Sequence, residues 1–195
     1  KMANKDAAFG MKPIRMIGGA PYSGGTSRYR IAANYGTSIF QGDMVAQVTG
    51  GTVEVHADGG TVPIVGVFNG CQFTDPTTGE QVFQNFYPAS TNASDIIAFI
   101  IDDPNVVYEV QADDTFPVAD LFGNFDIVYT SSGSTQTGIS GAELDVTTGA
   151  TNTNLPIKAI DISQDPNNDD VASANTNVLV VIQNSIFGVK GAGLA

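Results

Sequence analysis

The sequence predicts an all-β protein, a single-domain sandwich or barrel of short antiparallel strands that carries an extended N-terminal arm. Three observations lead to this fold class. Only 14% of the 195 residues are charged, against a usual share of about 25%, and a polar surface of Asn, Gln, Ser, Thr and Gly suits strands and loops better than helices. Short apolar runs alternate with turn residues from residue 29 onward, and their spacing shows no helical period.

The first predicted element is an extended basic arm over residues 1–28. Its glycines and prolines are too dense for a continuous helix or strand. The same segment holds apolar side chains, among them Phe9, Ile14 and Ile17, which a purely disordered tail would lack. We therefore expect the arm to become ordered against a neighbouring subunit, and a flexible tail is the alternative.

The body, residues 29–195, begins where the glycine-rich arm ends. An Asp-Gly-Gly turn at 58–60 and an Asp-Pro-Thr-Thr-Gly turn at 75–79 separate β-branched or aromatic runs, as the connections of hairpins do. These runs predict nine strands, near 37–49, 52–57, 62–74, 80–87, 95–102, 106–112, 125–130, 155–163 and 177–187.

Two strands show their environment in their patterns. In the run 52–56, Val53 and Val55 face one side of the strand and the polar residues face the other. The uninterrupted apolar run 178–182 is typical of a strand that is covered on both faces. Between residues 131 and 154 the chain is rich in Ser, Thr, Gly and Asn, which predicts a long surface loop that contacts a neighbour.

Charge is distributed very unevenly along the chain. Residues 1–30 contain six basic residues and one acid, a net charge of +5, whereas residues 31–195 contain two basic residues and nineteen acids, a net charge of −17. No Lys or Arg lies between Arg30 and Lys158. Because phosphate contacts need clustered cations, the body is predicted not to bind nucleic acid.

Membrane association is also not expected. The most apolar run, 96–101, has the length of a strand, and no run approaches the roughly 20 residues of a membrane-spanning helix. The N-terminal residues lack the apolar core of a signal peptide. We therefore expect no membrane partner and no export by that route.

The sequence offers few candidates for catalysis. His56, the single histidine, alternates with valines, which predicts a solvent-facing strand residue, and no motif supports a triad around it. Cys71, the single cysteine, excludes an internal disulfide and is predicted to be a small buried hydrophobic residue. In a strand, the two acids of the pairs 102–103 and 113–114 would point to opposite faces and could not act on one substrate. Both pairs are predicted to be turn residues instead. The protein is therefore predicted not to be an enzyme.

The loop 165–170 is the strongest candidate for a cation site. Asp165, Asn167 and Asp169 have the first three ligand positions of an EF-hand loop. The sixth position is Asp170 where the motif needs Gly, and the twelfth is Thr176 where it needs Glu. We expect no metal and no cofactor, and a structural cation held by acidic loops is the alternative.

Several short segments, taken in order, carry a resemblance that covers nearly the whole chain. They are 2–13 (MANKDAAFGMKP), 65–71 (VGVFNGC), 73–75 (FTD), 85–88 (NFYP), 102–105 (DDPN), 108–111 (YEVQ), 133–135 (GST), 137–138 (TG) and 178–184 (VLVVIQN). In these segments the chain resembles the head decoration proteins of tailed bacteriophages, also called cement or capsid-stabilising proteins. The last strand of that family often has arginine where this chain has Val181, which removes an ionic contact to a partner.

The resemblance implies a structural virion protein that is made in the host cytoplasm and lies on the outer surface of the capsid. Proteins of this family reinforce the shell against the pressure of the packaged DNA. The implied partners are the major capsid protein and sister copies, arranged as a homotrimer at local threefold positions. A physical rationale agrees with this, because acidic bodies repel each other and basic arms inserted between them would offset the repulsion.

The candidate partner-binding residues are the basic and apolar side chains of the arm and its end: Lys5, Phe9, Lys12, Ile14, Arg15, Ile17, Arg28 and Arg30. The alternative function is a virion knob, a fibre base or a carbohydrate-binding β module that contacts the host surface. Such a module should expose aromatic residues in a loop or groove, and this chain has no Trp and six Tyr.

Overall fold

Two curled antiparallel sheets, packed against each other, make up the computed structural model, which describes residues 3–188. The all-β prediction is confirmed. The strands are β1 (Lys12–Met16), β2 (Ser27–Arg30), β3 (Ile39–Phe40), β4 (Met44–Val48), β5 (Thr52–Val55), β6 (Ile64–Thr74), β7 (Gln81–Gln84), β8 (Phe86–Tyr87), β9 (Ile97–Ile101), β10 (Val106–Gln111), β11 (Asn124–Tyr129), β12 (Ala142–Ala150), β13 (Ile157–Ile162) and β14 (Asn177–Ile182). Two short 3₁₀ turns are Val118–Asp120 and Pro166–Asn168.

The first sheet has the strand order β1-β10-β14-β13-β11-β12, and all its pairs are antiparallel. It curls back on itself, because Ala112, just after β10, forms a parallel bridge with Leu144 of β12. The amide of Asp113 donates to the carbonyl oxygen of Leu144 at 3.0 Å. Curling gives the Leu144 carbonyl oxygen, at the edge of the sheet, a backbone partner.

The second sheet has the order β2-β9-β6-β4-β5, and β7 pairs with the far end of β6. The long strand β6 is its centre and makes antiparallel pairs with β4, β7 and β9. A small ribbon of β3 and β8 lies beside it. The edge strand β2 is the last element of the N-terminal region, and among residues 3–188 its one strand partner is β9.

Both sheets bury side chains on two faces. In β6, Ile64 and Val67 contribute to the cluster shared with the first sheet, whereas Phe68 and Cys71 contribute to a cluster inside the second sheet. In β14, alternate residues lie in the shared cluster and in a smaller outer cluster of Val107, Leu179 and Val181, as the apolar run predicts. Each large apolar side chain that is fully buried stabilises the fold by about 1.5–3 kcal/mol.

All nine predicted strands have a counterpart in the structure, with two changes of boundary. The predicted strand 37–49 is divided into β3 and β4 by a turn, in which the Phe40 amide donates to Asp43 Oδ2 at 2.7 Å. The predicted strand 80–87 is divided into β7 and β8 at Asn85. Residues 1–2 of the predicted arm and residues 189–195 of the predicted body lie outside the described residues.

Residues 1–28 form no single continuous helix or strand, but they contain the five-residue strand β1 and the start of β2, which were not predicted. Most of the glycines fall in the loop between the two strands, which leaves 12–16 free to extend. Pro13 is accommodated because β1 is an edge strand, where one backbone N–H needs no partner, and its register shifts between Pro13 and Arg15. In the structure this segment packs on the body of its own chain.

The predicted surface loop 131–154 is also wrong in part, since β12 occupies 142–150. Leu144 points into the shared core and Val146 packs against it. The other residues of β12 are small or polar, so the alternation rests on these two side chains and is too weak to recognise in the sequence. β12 is ordered by its pairing with β11, which includes a register shift between Asn124 and Asp126. The composition of this segment does not indicate that pairing.

Candidate interaction face

The first residues of the arm are anchored by backbone and amide hydrogen bonds. The side chain of Asn4 is buried, and its Nδ2 donates to the carbonyl oxygens of Asp170 at 3.0 Å and Ala174 at 3.3 Å. Gln111 of β10 bridges to the arm from the other side: its Oε1 accepts from the Ala7 amide and its Nε2 donates to the Lys5 carbonyl oxygen. Residues 4–7 are therefore fixed to the body without any contribution from charge.

The next residues enter the core. Met11 is 1% exposed and belongs to the cluster between the two sheets, and its amide donates to the Gly42 carbonyl oxygen at 2.9 Å. Gly10 has φ +68°, and a Cβ at this position would lie 2.6 Å from the Cβ of Ser140. The close approach that seats Met11 therefore requires glycine at position 10.

β1 then pairs with β10 and divides its side chains between body and solvent. Ile14 packs against the outer cluster of β10 and β14, which includes Val181. Lys12 lies 3.5 Å from Glu109 Oε2, with 63% of its side chain exposed. Because an exposed ion pair contributes about 1 kcal/mol or less, the apolar contacts hold β1 in place.

β2 presents its two arginines on an open face of the second sheet. Between them, Tyr29 points inward, where its hydroxyl donates to Asp102 Oδ2 at 2.8 Å. Burial, with a further effect of Asp102, raises the pKa of Tyr29 to about 12, so that the hydroxyl remains a donor. Arg28 and Arg30 are exposed, and the Arg28 guanidinium lies 5.9 Å from the centre of the Phe99 ring.

The strand register adds apolar residues to the arginines. Arg30 pairs with Ile97 of β9, which pairs with Gln72 of β6, which pairs with Phe83 of β7. Phe83 is 65% exposed, whereas its neighbour Val82 packs into the cluster inside the sheet. We call Arg28, Arg30, Phe83, Ile97 and Phe99 the basic–aromatic face.

A cleft of about 200 Å³ continues this face toward the arm. Ile101 lines the cleft and lies two residues after Phe99 on the same side of β9. The opposite wall comes from the arm, with Phe9, Lys12 and Pro13, and the exposed Ile139 closes one end. We call this the arm cleft.

The structure thus separates the eight predicted site residues. Four of them lie on the face or the cleft: Phe9, Lys12, Arg28 and Arg30. The other four lie elsewhere. Ile14 packs against the outer cluster, and the Arg15 side chain donates to the Met16 carbonyl oxygen. Lys5 is exposed near Gln111, and Ile17 is exposed in the loop between β1 and β2. Phe83, Ile97 and Phe99 were not among the predicted residues, because only the pairing of β2, β9, β6 and β7 brings them to the same face as the arginines.

His56 does not face solvent, so that prediction is wrong. The residue follows β5, is 1% exposed, and lies under the turn that leads to Gly60. Burial lowers its pKa, although a backbone hydrogen bond with Gly60 opposes the shift, and its Nε2 has no hydrogen-bond partner among the described residues. Neutral His56 therefore acts as a packing residue.

The other candidates for chemistry lie apart from one another. Cys71 is buried, as predicted, and burial raises the pKa of its thiol to about 12. Asp113 and Asp114 lie in a bend, as predicted, whereas Asp102 and Asp103 directly precede the turn at 104–105, which the Val106 amide closes by donating to the Asp103 carbonyl oxygen. Asp165 caps the 3₁₀ turn 166–168, its Oδ1 accepting from the Asn167 amide at 2.8 Å. Within residues 3–188, no three His, Cys, Asp or Glu side chains are grouped closely enough to hold a metal ion.

No protein-family model matches the chain, and comparisons with curated proteins and with solved structures found no significant match. In the part of the chain that the structure describes, no helix is long and apolar enough to cross a membrane.

Proposed function

We propose that the protein is a structural virion protein that decorates and stabilises a phage capsid, and that it binds the outer shell through the basic–aromatic face. The observation that carries the proposal is this face itself. Arg28 and Arg30 are exposed beside Ile97 and Phe99 of β9, and the exposed Phe83 lies on the same face two strands beyond β9. The other residues of the chain carry a large negative charge. The resemblance of the sequence to head decoration proteins supports the same function.

The composition of the face is that of a protein interface. Arginine and aromatic residues are enriched at such interfaces, and they account for most of the residues whose loss weakens binding strongly. Arg28 is already positioned over an aromatic ring, so it loses little freedom on binding. The partner surface that fits is acidic with an apolar centre, and we assign it to the major capsid protein.

Sister copies are the second partner in this proposal. A basic face does not pair with itself across a twofold axis, because the arginines of the two copies would repel each other. We therefore expect no contact that pairs this face with itself, and head-to-tail contacts between copies would agree with the homotrimer that the resemblance implies. Repulsion between the acidic bodies is then offset by the capsid contacts.

The proposal assigns the protein no catalytic role. The two side chains on which a cysteine or histidine hydrolase would depend, Cys71 and His56, are both 1% exposed. The raised pKa of the Cys71 thiol disfavours nucleophilic attack. The His56 imidazole is enclosed by its own turn, which disfavours general-base catalysis.

The test is co-sedimentation of the full chain with empty shells assembled from the major capsid protein of the same phage. Arg28→Glu with Arg30→Glu should weaken binding at least about tenfold, a loss of about 1.4 kcal/mol. Lys5→Glu is the charge control, because Lys5 is exposed but lies outside the face. Equal weakening by both variants, or no binding of the unmodified protein, would refute the proposal.

A second pair of variants separates apolar contact from charge. Phe83→Ser removes a ring that is 65% exposed, and Phe187→Ser removes one that is 54% exposed and lies outside the face. Neither change should unfold the protein, because both rings are largely in solvent already. Only Phe83→Ser should reduce the sedimented fraction, and an equal reduction by Phe187→Ser would contradict the assignment of the face.

A further inference from the structure

A second and larger cleft lies between the turn at 36–38 and the loop at 132–136, and no residue of the arm lines it. Its volume of about 760 Å³ falls in the range of roughly 300–1,000 Å³ that small-molecule sites occupy. The floor consists of Phe40, Val55 and Tyr129, with Asp43 beside them. The proposed capsid contact makes no use of this region.

The wall formed by the 132–136 loop is fixed by the fold. Gly133 has φ +81°, and a Cβ there would lie 2.5 Å from the ring of Phe40, so glycine allows the loop to reach the ring. The Ser134 amide donates to the Ile139 carbonyl oxygen at 3.0 Å, and the Gly138 amide donates to the Ser134 carbonyl oxygen at 2.7 Å. Binding therefore does not have to order this loop first.

The rings of the floor are also held in place. Phe40 stacks on Phe86 with 5.8 Å between ring centres and an angle of 14°. Tyr129 donates its hydroxyl to the His56 carbonyl oxygen at 3.1 Å. The floor thus offers a rigid apolar surface of limited area under a polar wall.

The polar groups of the lining are mostly neutral. They are the hydroxyls of Thr37, Ser38, Ser132, Ser134 and Thr135 and the amide of Gln136. Asp43 is the only charged residue of the lining, and its Oδ2 already accepts from the Phe40 amide. No Lys, Arg or His lines the cleft, so nothing there would neutralise a phosphate or a carboxylate.

A wall of hydroxyl and amide groups above an aromatic floor matches the chemistry of a sugar ring, which has hydroxyls at its rim and C–H groups on its faces. Purely apolar ligands would cover the polar wall without hydrogen-bonding to it, and anions would meet Asp43 without a cation. We propose that this cleft binds a neutral saccharide of one or two rings. The second cleft shares no lining residue with the arm cleft, although the Ser134 amide of the second cleft donates to the carbonyl oxygen of Ile139, which lines the arm cleft.

The test starts with the free protein and the methyl glycosides of glucose, galactose, mannose and N-acetylglucosamine. Saturation-transfer NMR identifies the sugar that binds, and titration calorimetry gives its Kd. A glycan array of cell-surface polysaccharides then shows whether the same sugar is also bound at a chain end. Binding of only the free glycoside would indicate a soluble sugar, and binding of both would indicate a surface glycan.

Thr135→Ala with Gln136→Ala is the test variant, because both side chains are exposed and line the cleft. Its matched control is Thr151→Ala with Gln81→Ala, two exposed residues elsewhere. The test variant should raise the Kd at least about tenfold and still sediment with capsids, whereas the control should change neither. No binding of any glycoside or glycan, or an unchanged Kd in the test variant, would overturn the proposal.

Discussion

The two ends of the basic N-terminal region differ in how they meet the rest of the chain. Residues 4–16 bury Asn4 and Met11 and add a strand to the first sheet, whereas residues 28–30 hold two arginines in solvent on the second sheet. The first part meets an unpaired strand edge and an apolar gap between the sheets. The second part meets a sheet whose inner side accepts only Tyr29. Local surroundings, rather than charge, thus decide which part is docked and which is available.

This difference limits how the arm could bind a partner. Apolar anchors such as Ile14 are already used within the chain, so they are not free to fill pockets on a neighbour. Binding energy for a partner must then come from the arginines and from exposed rings. The four predictions that follow test this division, beginning with the largest effect.

Met11→Ala should cause the largest loss of stability in the docked part. The side chain is 1% exposed at the junction of the two sheets, and replacing a buried Met by Ala costs about 2–5 kcal/mol. Urea denaturation gives the free energy of unfolding. Ile17→Ala is the control, because Ile17 is 55% exposed and such a change should stay within about 0.5 kcal/mol. Similar losses in both variants would mean that the arm is not docked in solution.

Asp43 should make the docked part sensitive to pH. Burial raises the pKa of this carboxyl to about 6, against opposing hydrogen bonds from the Phe40 amide and Ser140. The turn that holds Asp43 also carries Gly42, whose carbonyl oxygen accepts from Met11. Because the pKa is higher in the folded state, the contribution of Asp43 to stability is fully present below pH 4 and is lost as the pH rises through 6.

The measurement compares the protein with Asp43→Asn between pH 4 and pH 7.5. Since one pKa unit corresponds to 1.36 kcal/mol, the difference in unfolding free energy between the two proteins should change by up to about 3 kcal/mol across this range. His56 has a lowered pKa and acts in the opposite direction, but it is present in both proteins and cancels. A constant difference across the pH range would show that Asp43 is ionised without cost.

How much of this division could be read from the sequence depends on the range of the interaction. The inward Tyr29 and outward Arg28 and Arg30 follow from a period of two that is visible in the sequence. The rings beside the arginines could not be found in this way, because only the register of β9, β6 and β7 brings Phe99 and Phe83 to the same face.

The docked part illustrates the opposite limit. Pro13 and the surrounding glycines correctly indicate that no ordinary internal strand forms there. The sequence does not show that β10 has an unpaired edge, where a strand with proline is tolerated. The prediction that His56 faces solvent was wrong for a related reason. Val53 and Val55 do pack into the same cluster, but the strand ends at Val55 and the turn folds the imidazole inward.

Asn4→Ala should loosen the arm by a smaller amount. The change removes the donor to the carbonyl oxygens of Asp170 and Ala174 and to the Thr176 hydroxyl, and each such hydrogen bond contributes about 0.5–1.5 kcal/mol. Trypsin cleavage after Arg15 reports on this opening, because that bond lies within β1 and is accessible only when the strand detaches. Cleavage should be at least about fivefold faster, since 1 kcal/mol corresponds to a factor of about 5.

Asn92→Ala is the control for this experiment, because Asn92 is exposed and only accepts from Asn34. Its digestion should match that of the unmodified protein. Rapid cleavage after Arg15 in the unmodified protein would contradict the docked arrangement and favour an arm that is ordered only by a partner.

A substitution at Lys12 should give the smallest change in stability. Lys12 belongs both to the docked strand β1 and to the surface that is available to a partner, so it tests how completely these two roles are separated. Its Nζ lies 3.5 Å from Glu109 Oε2, and its side chain also lines the arm cleft. Lys12→Met retains most of the aliphatic stem and removes the charge, so unfolding free energy should fall by about 0.2–1 kcal/mol and the difference should disappear at high salt. Glu109 remains satisfied, because its Oε1 accepts from the Ser163 hydroxyl at 2.6 Å.

The same variant should affect capsid binding more than it affects folding. If the arm cleft continues the basic–aromatic face, the lost charge lowers the attraction to an acidic partner surface, and co-sedimentation at low salt should fall by several-fold. Lys5→Met is the matched control, since Lys5 is exposed outside the cleft. A stability loss above about 2 kcal/mol in Lys12→Met would mean that the ion pair, and not Ile14 and Met11, holds β1. Unchanged capsid binding would instead restrict the interface to β2, β7 and β9.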